Sequence, residues 1–182
     1  MFIYLKSINF LLISLIVILL NGCSSTNMKD FENKTPKLNL FEFFKGETVA
    51  YGIFEDRFGK LRRQFRVKIK GSVEENTLTL DEKFIYDDGE KATRIWKIKK
   101  INENNNLIKY EGSAEDVEGL ATGTSVGNAL NWTYDIYLNI KGSNLKVKFN
   151  DWIYKQDSNV AINRAYVSKF GIDIGSVTLV FL

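Results

Sequence analysis

From Leu38 to Leu182 the chain contains no proline, and its apolar residues recur at every second position between clusters of Gly, Asn and Asp. A helix needs a period near 3.6, whereas alternation gives a strand one dry face and one wet face. The pattern predicts strands near 48–56, 60–70, 76–86, 90–101, 107–115, 117–126, 129–140, 144–154, 160–168 and 174–181, and only Leu38–Phe44 suits a short helix. That many antiparallel strands, with no helices to cover a flat sheet, leave open edges and an uncovered inner face. Closing the sheet removes both problems.

The expected fold is therefore all-β, an antiparallel up-and-down (lipocalin-like) barrel of 8–10 strands with a short N-terminal helix as lid or plug at one end. An open half-barrel or a two-sheet sandwich is the competing architecture. Two hairpins can be registered from their turns. Asp87-Asp88-Gly89 suits a three-residue loop with Gly in the left-handed position, pairing Tyr86 with Glu90, Phe84 with Ala92, Glu82 with Arg94, Leu80 with Trp96 and Leu78 with Ile98. Gly142-Ser143 suits a two-residue turn with Gly leading, pairing Ile140 with Leu145, Leu138 with Val147, Ile136 with Phe149, Tyr134 with Asp151 and Trp132 with Ile153. In both ladders one face is apolar apart from a few polar insertions, as a buried face demands.

The N-terminus has a separate logic. Ile8–Leu20 is an apolar run behind Lys6, too short to span a bilayer as a helix, and it ends in Leu20-Asn21-Gly22-Cys23. The run reads as the core of a secretory signal. The tetrapeptide resembles a lipobox, in which the thiol receives a diacylglycerol and the Cys becomes the first residue after cleavage. Residues 1–22 are thus expected to be a lipoprotein signal peptide, and Cys23 the lipidated anchor. Residues 23–37, polar and containing the only proline, Pro36, are expected to form a flexible tether, and 38–182 a single domain. Acyl chains contribute about 0.8 kcal/mol per buried CH₂, enough together to hold a water-soluble domain on a membrane. Ser24 stands where an Asp would direct retention in the inner membrane, so the expected address is the outer membrane, facing the periplasm.

Composition narrows the chemistry. The 182 residues include no His and one Cys, which excludes Ser-His-Asp and Cys-His catalytic groups, a zinc site of the usual ligands and an intrachain disulfide. With 25 Lys and Arg against 22 Asp and Glu, the net charge of +3 is no nucleic-acid footprint. No nucleophile motif such as G-x-S-x-G appears, and the order of Asp and Glu reveals no glycosidase pair. Nothing points to a cofactor, and a noncatalytic role is expected.

Several runs together resemble a known bacterial family: AYGIFEDRFGKLRRQF (50–65), LDEKFIYDDGE (80–90), RIWKI (94–98), AEDVEGLATGTSVGNALNW (114–132), DWIY (151–154) and NRAYVSKFGI (163–172). The sequence is similar to the lipoproteins classed as domain of unknown function 3833. The likeness covers nearly all of the mature chain except the Ser24–Lys37 tether; it implies a lipoprotein with one domain and supplies no reaction.

Polar residues on the inward faces carry the functional expectation. Arg63 shares a face with Phe65, Val67 and Ile69; Glu82 opposes Arg94; Asp151 alternates with Phe149 and Ile153. Unpaired burial of such groups costs several kcal/mol. One reading is an internal network, Glu82 with Arg94 and Asp151 with Arg63 or the Tyr134 hydroxyl. The other is a cavity in which guanidinium groups take a carboxylate or phosphate head while Phe65, Phe84, Trp96 and Trp132 line the chain-binding part. The candidate ligand-binding residues are Arg63, Phe65, Glu82, Phe84, Arg94, Trp96, Trp132, Tyr134 and Asp151. Glu111, Glu115, Asp116 and Glu118 lack the spacing of a calcium loop and read as solvated turns, and Gly119, Gly123 and Gly127 as bulges or bends. The basic residues at 66, 68, 70, 97 and 99 read as outward faces, and Trp152 and Tyr154 point away from Asp151. The expected partners are a membrane, through the N-terminal lipid, and a small apolar or amphipathic molecule such as an envelope lipid. A filled core would instead favour a scaffold that contacts envelope proteins.

Overall fold

The computed structural model describes residues 26–104, 106–140 and 143–182, with backbone only at 139, 140 and 143. Ten strands follow one another: β1 (Gly46–Asp56), β2 (Leu61–Glu74), β3 (Thr77–Tyr86), β4 (Lys91–Asn104), β5 (Leu107–Ser113), β6 (Val117–Val126), β7 (Ala129–Ile140), β8 (Ser143–Lys155), β9 (Ala161–Lys169) and β10 (Ile172–Phe181). Each pairs antiparallel with its neighbours in sequence, and β1 pairs with β10, so the sheet closes as a ten-stranded up-and-down barrel. The alternation read from the sequence is the inside–outside alternation of this wall. Ala50, Val67, Leu80, Trp96, Ile136 and Val167 face in and are buried, while Arg66, Lys68, Lys70, Lys97 and Lys99 face out.

One end of the barrel is plugged. Helix α1 (Leu40–Phe43) follows an Asn39 cap, whose side chain accepts from the Phe41 N–H. Leu38, Leu40 and Phe44 around it are at most 4% exposed, each contributing about 2 kcal/mol by burial. Phe44 meets the Phe181 ring edge-on at 5.2 Å. The plug is also pinned by polar contacts: the Ser125 hydroxyl donates to the Leu38 carbonyl at 2.5 Å, and the Leu40 N–H to the Tyr110 hydroxyl at 3.3 Å. Gly71 permits the fit, because a Cβ there would run into the Phe44 carbonyl.

The segment expected to be a tether carries a 3-10 turn, Met28–Phe31, closed by a reciprocal cap between Asn27 and Asp30. Its Phe31 ring lies 6.0 Å from Trp152 and 5.6 Å from Tyr154 on the outer wall, and Gly127 leaves room for the Phe31 and Lys34 carbonyls. The outward aromatic pair is therefore covered by the chain's own N-terminal segment, with Trp152 9% exposed. Residues 1–25, including the expected signal and Cys23, lie outside the described residues. The elements of the described residues fall within 26–182 and enclose one core, all of which residues 24–182 contain.

The β3–β4 ladder pairs Glu82 with Arg94 and Leu80 with Trp96, as its turn implies, with Gly89 at φ 86°. The β7–β8 ladder corrects the other expectation: Trp132 opposes Asp151, Tyr134 opposes Phe149 and Ile140 opposes Ser143. Ser143 is itself paired across the ladder, so Gly142-Ser143 is not its two-residue loop. Moving a two-residue turn by one position changes every partner by two, which leaves each side chain on the same face. Alternation cannot distinguish the two registers.

Candidate functional site

The lower half of the barrel, next to α1, is filled. The Trp132 ring lies over Gly112 and Gly123: a Cβ on Gly112 would stand 2.8 Å from it, and one on Gly123 would overlap it. Trp96 packs edge-on against Trp132 at 5.7 Å and against Tyr134 at 5.3 Å. These rings make a floor. Above it, toward the end opposite α1, the inward-facing Phe65, Glu82, Phe84, Tyr86, Arg94, Leu138, Phe149 and Val177 are only partly buried, whereas Leu78, Leu130 and Ala161 below are sealed. The interior is thus sealed at the tryptophan floor and less completely buried toward the mouth, where Phe65, Phe84 and Phe149 pack against the core from above. All nine candidate residues face this interior: Trp96, Trp132 and Tyr134 at the floor, Phe65, Glu82, Phe84, Arg94 and Asp151 on the walls, and Arg63 at the rim.

The charges are paired differently from the expectation. Arg94 does not hold Glu82; its guanidinium makes two-pronged contact with Asp116, at 2.6 and 3.1 Å. Arg63 does not hold Asp151; it binds Asp88 at 2.8 Å and Glu90 at 2.5 Å, with its guanidinium 3.6 Å above the Tyr86 ring. Both choices follow from ladder geometry. Phe65 opposes Tyr86, so one step farther along the same face Arg63 reaches Asp88. Lys97 opposes Ser113, so Arg94 reaches Asp116. Each arginine clamps the next hairpin's turn at the mouth. Burial works against both positive charges, but Glu90 and Asp88 around Arg63, and Tyr134, Glu82 and Asp116 around Arg94, outweigh it and raise both pKa values.

The two remaining interior carboxyls have no ion-pair partner among the described residues. Burial pushes Glu82 up to about 7 against the attraction of Arg94, and Asp116, Asp151 and Asp81 push the same way. Burial likewise pushes Asp151 up to about 7, opposed by hydrogen bonding of its carboxyl with the Tyr134 hydroxyl, the alternative partner expected for it, by the attraction of Arg94 and by hydrogen bonding with Asn163. Asp151 is 9% exposed, and its Oδ1 has no hydrogen-bond partner. A polar atom in that position costs about 1–3 kcal/mol unless something else satisfies it.

Asp116, Asp88, Glu90 and Asn163 complete the site beyond the sequence-predicted set. Asp116 is drawn out of the acidic cluster read as solvated turns. Its neighbour Glu118 faces outward, bonded to Lys146 and to the Tyr137 hydroxyl. Of the three spaced glycines, Gly119 has φ 69° at the β6 bulge, Gly123 seats Trp132, and Gly127 admits the N-terminal segment. Among the described residues no group of three or more His, Cys, Asp or Glu is placed to hold a metal ion. Two shallow grooves lie on the outer wall. One, of about 440 Å³, runs between Tyr51, Arg66, Ile85 and Val180; the other, of about 760 Å³, lies among Glu74, Thr77, Lys97 and Glu111.

Fold and site together define a closed lipocalin-like antiparallel barrel with a plugged base and inward-facing aromatic and charged side chains toward its mouth. The chain belongs to the DUF3833 family, described as proteins of unknown function, whose profile matches residues 17–182. That match takes in the Ser24–Lys37 stretch that the motif likeness left out. Among solved structures, the S-type phycobiliprotein lyase CPES from Guillardia theta is similar, with a TM-score of 0.56 and 7% identity over 86% of this chain and 96% of that one. At that identity the likeness shows the fold alone. Comparison with curated proteins finds no match.

Proposed function

We propose that this chain is an outer-membrane lipoprotein, anchored through Cys23 at the periplasmic face, whose barrel binds a small apolar or amphipathic molecule such as an envelope lipid, without catalysing a reaction. The observation that carries the reading is the contrast between the sealed base and the partly accessible, inward-facing Phe65, Phe84, Tyr86 and Phe149 of the mouth. Apolar side chains that face inward yet stay reachable favour a cup open at the mouth over a finished core. The barrel's likeness to a phycobiliprotein lyase is consistent with a small-molecule partner. The lipobox-like Leu20–Cys23 and Ser24 support the address.

The test is native purification followed by mass spectrometry of retained small molecules, beside the variant Ala92→Phe. Ala92 faces inward opposite Phe84 at the mouth, so a ring there fills the cup. A compound retained by the natural protein and lost from the variant supports the reading. Equal retention, or none in either, counts against it. A second reading, a scaffold with a filled core, is favoured by the packing of Trp96 and Trp132 and by the apolar groove beside Tyr51 and Ile85; it predicts that Ala92→Phe changes nothing.

A further inference from the structure

We infer that the polar part of the ligand is a hydrogen-bond donor, a hydroxyl, an N–H or an ammonium, received by Glu82 and Asp151, and not a carboxylate or phosphate. The inference rests on the cup being a binding site, and it reverses the head-group chemistry expected from two inward-facing arginines.

Both cations that could welcome an anion are already committed. Arg94 is held along one edge, through Nε and Nη2, by Asp116, and Arg63 is shared by Asp88 and Glu90 while stacked on Tyr86. Arg63 Nε has no hydrogen-bond partner, but the charge it belongs to already faces two carboxylates. An anion entering beside either arginine would face the carboxylates already bonded to it. What the interior leaves unsatisfied is of the opposite kind: Asp151 is more than nine-tenths buried with Oδ1 unpartnered, and Glu82 has no cation within ion-pair distance among the described residues. Carboxyl oxygens accept hydrogen bonds, so they complement a donor and repel an acid. Their surroundings suit a molecule with one polar group and an apolar body, because Phe84 opposes Ala92 beside Glu82, and Tyr134 and Phe149 stack at 5.2 Å beside Asp151.

The experiment uses residues 24–182 at about pH 8.5, where both carboxyls are ionised, with the hydrocarbon diphenylhexatriene as fluorescent reporter. Dodecanol, dodecylamine and dodecanoate, which share one tail, compete for it. Dodecanol and dodecylamine should displace the reporter at concentrations about tenfold below dodecanoate, the factor that accompanies ~1.4 kcal/mol. Asp151→Asn and Glu82→Gln should each weaken dodecylamine by about fivefold relative to dodecanol on the same variant, as expected when a charged acceptor is lost. Should Asp151→Asn fail to fold, Glu82→Gln carries the comparison. Dodecanoate competing as well as the amine, or amine affinity unmoved in the variants, overturns the donor inference and leaves the binding site standing. If diphenylhexatriene itself does not bind saturably, the cup reading falls and this inference with it.

Discussion

Glu82 and Asp151 should make the protein less stable as the solution turns from acid to mildly alkaline. Both carboxyls have folded-state pKa values raised to about 7, from ordinary values of 4.5 and 3.8. A raised carboxyl pKa means that the folded state binds more protons than the unfolded state between about pH 4 and pH 7, so stability is lost as pH climbs through that window. At 1.36 kcal/mol per pKa unit, the rise of Glu82 alone corresponds to about 3 kcal/mol. The rise of Asp151 corresponds to about 4 kcal/mol; because the Asp151 charge is itself one cause of the Glu82 rise, the two do not simply add, and about 8 kcal/mol is a ceiling for the pair. The window is unusually clean. The chain has no His, Cys23 is absent from residues 24–182, and only the α-amino group also titrates there at its ordinary pKa. Asp56, Asp88, Glu118 and Asp157 have lowered pKa values, so their stabilising contributions are lost only as pH falls below the ordinary carboxylate range. The assay is urea unfolding of residues 24–182 at pH values of about 5, 6.5 and 8. The natural protein should lose about 3 kcal/mol across that range. The double variant Glu82→Gln, Asp151→Asn should be nearly flat, and more stable than the natural protein at the alkaline end. A natural protein whose stability is flat or rises with pH would refute the burial assigned to these two groups.

Three further outcomes follow from the packing. Gly123→Ala should cost about 1–3 kcal/mol in the same unfolding assay, because its Cβ would overlap the Trp132 ring; a neutral result would mean the floor is not packed as described. Arg94→Leu should cost about 2 kcal/mol by leaving Asp116 without its charged partner and Glu82 without its nearest cation; equal stability before and after would dismiss the clamp. Phe170→Gly should raise the thermal midpoint, by about 1 kcal/mol in stability, since Phe170 is 92% exposed at φ 52° and so gives up no packing when strain is relieved.

The strands, the closure and the inward set could be read from the letters because two-residue periodicity is a local property of the backbone. The Glu82–Arg94 register was legible for the same reason: Asp87-Asp88-Gly89 fixes its own loop length. Pairings across the other ladders depend on features that leave no comparable mark. A bulge between Lys100 and Asn102 shifts the β4–β5 register by one; counting back from the Asn104–Leu107 pair would set Arg94 opposite Val117 instead of Asp116. Asp116 therefore read as part of a solvated acidic run. Side-chain reach also escapes the pattern. Glu82 and Arg94 are cross-strand neighbours, yet a long guanidinium chooses the carboxylate on the other flank. The N-terminal segment shows no periodicity, and its placement rests on single contacts, Phe31 on Trp152 and Tyr154, and carbonyls against Gly127.

Energy transfer from the floor tryptophans to a bound hydrocarbon tests the cup most directly. In a Trp152→Phe background, which removes the indole beneath the N-terminal segment, Trp96 and Trp132 are the only tryptophans left to excite selectively. Titration with diphenylhexatriene should quench them saturably at one site per chain, and Ala92→Phe should abolish the quenching while leaving the unfolding midpoint within about 1 kcal/mol of its parent. Quenching that never saturates, or that survives Ala92→Phe unchanged, would place the hydrocarbon elsewhere and contradict a ligand site inside the barrel mouth.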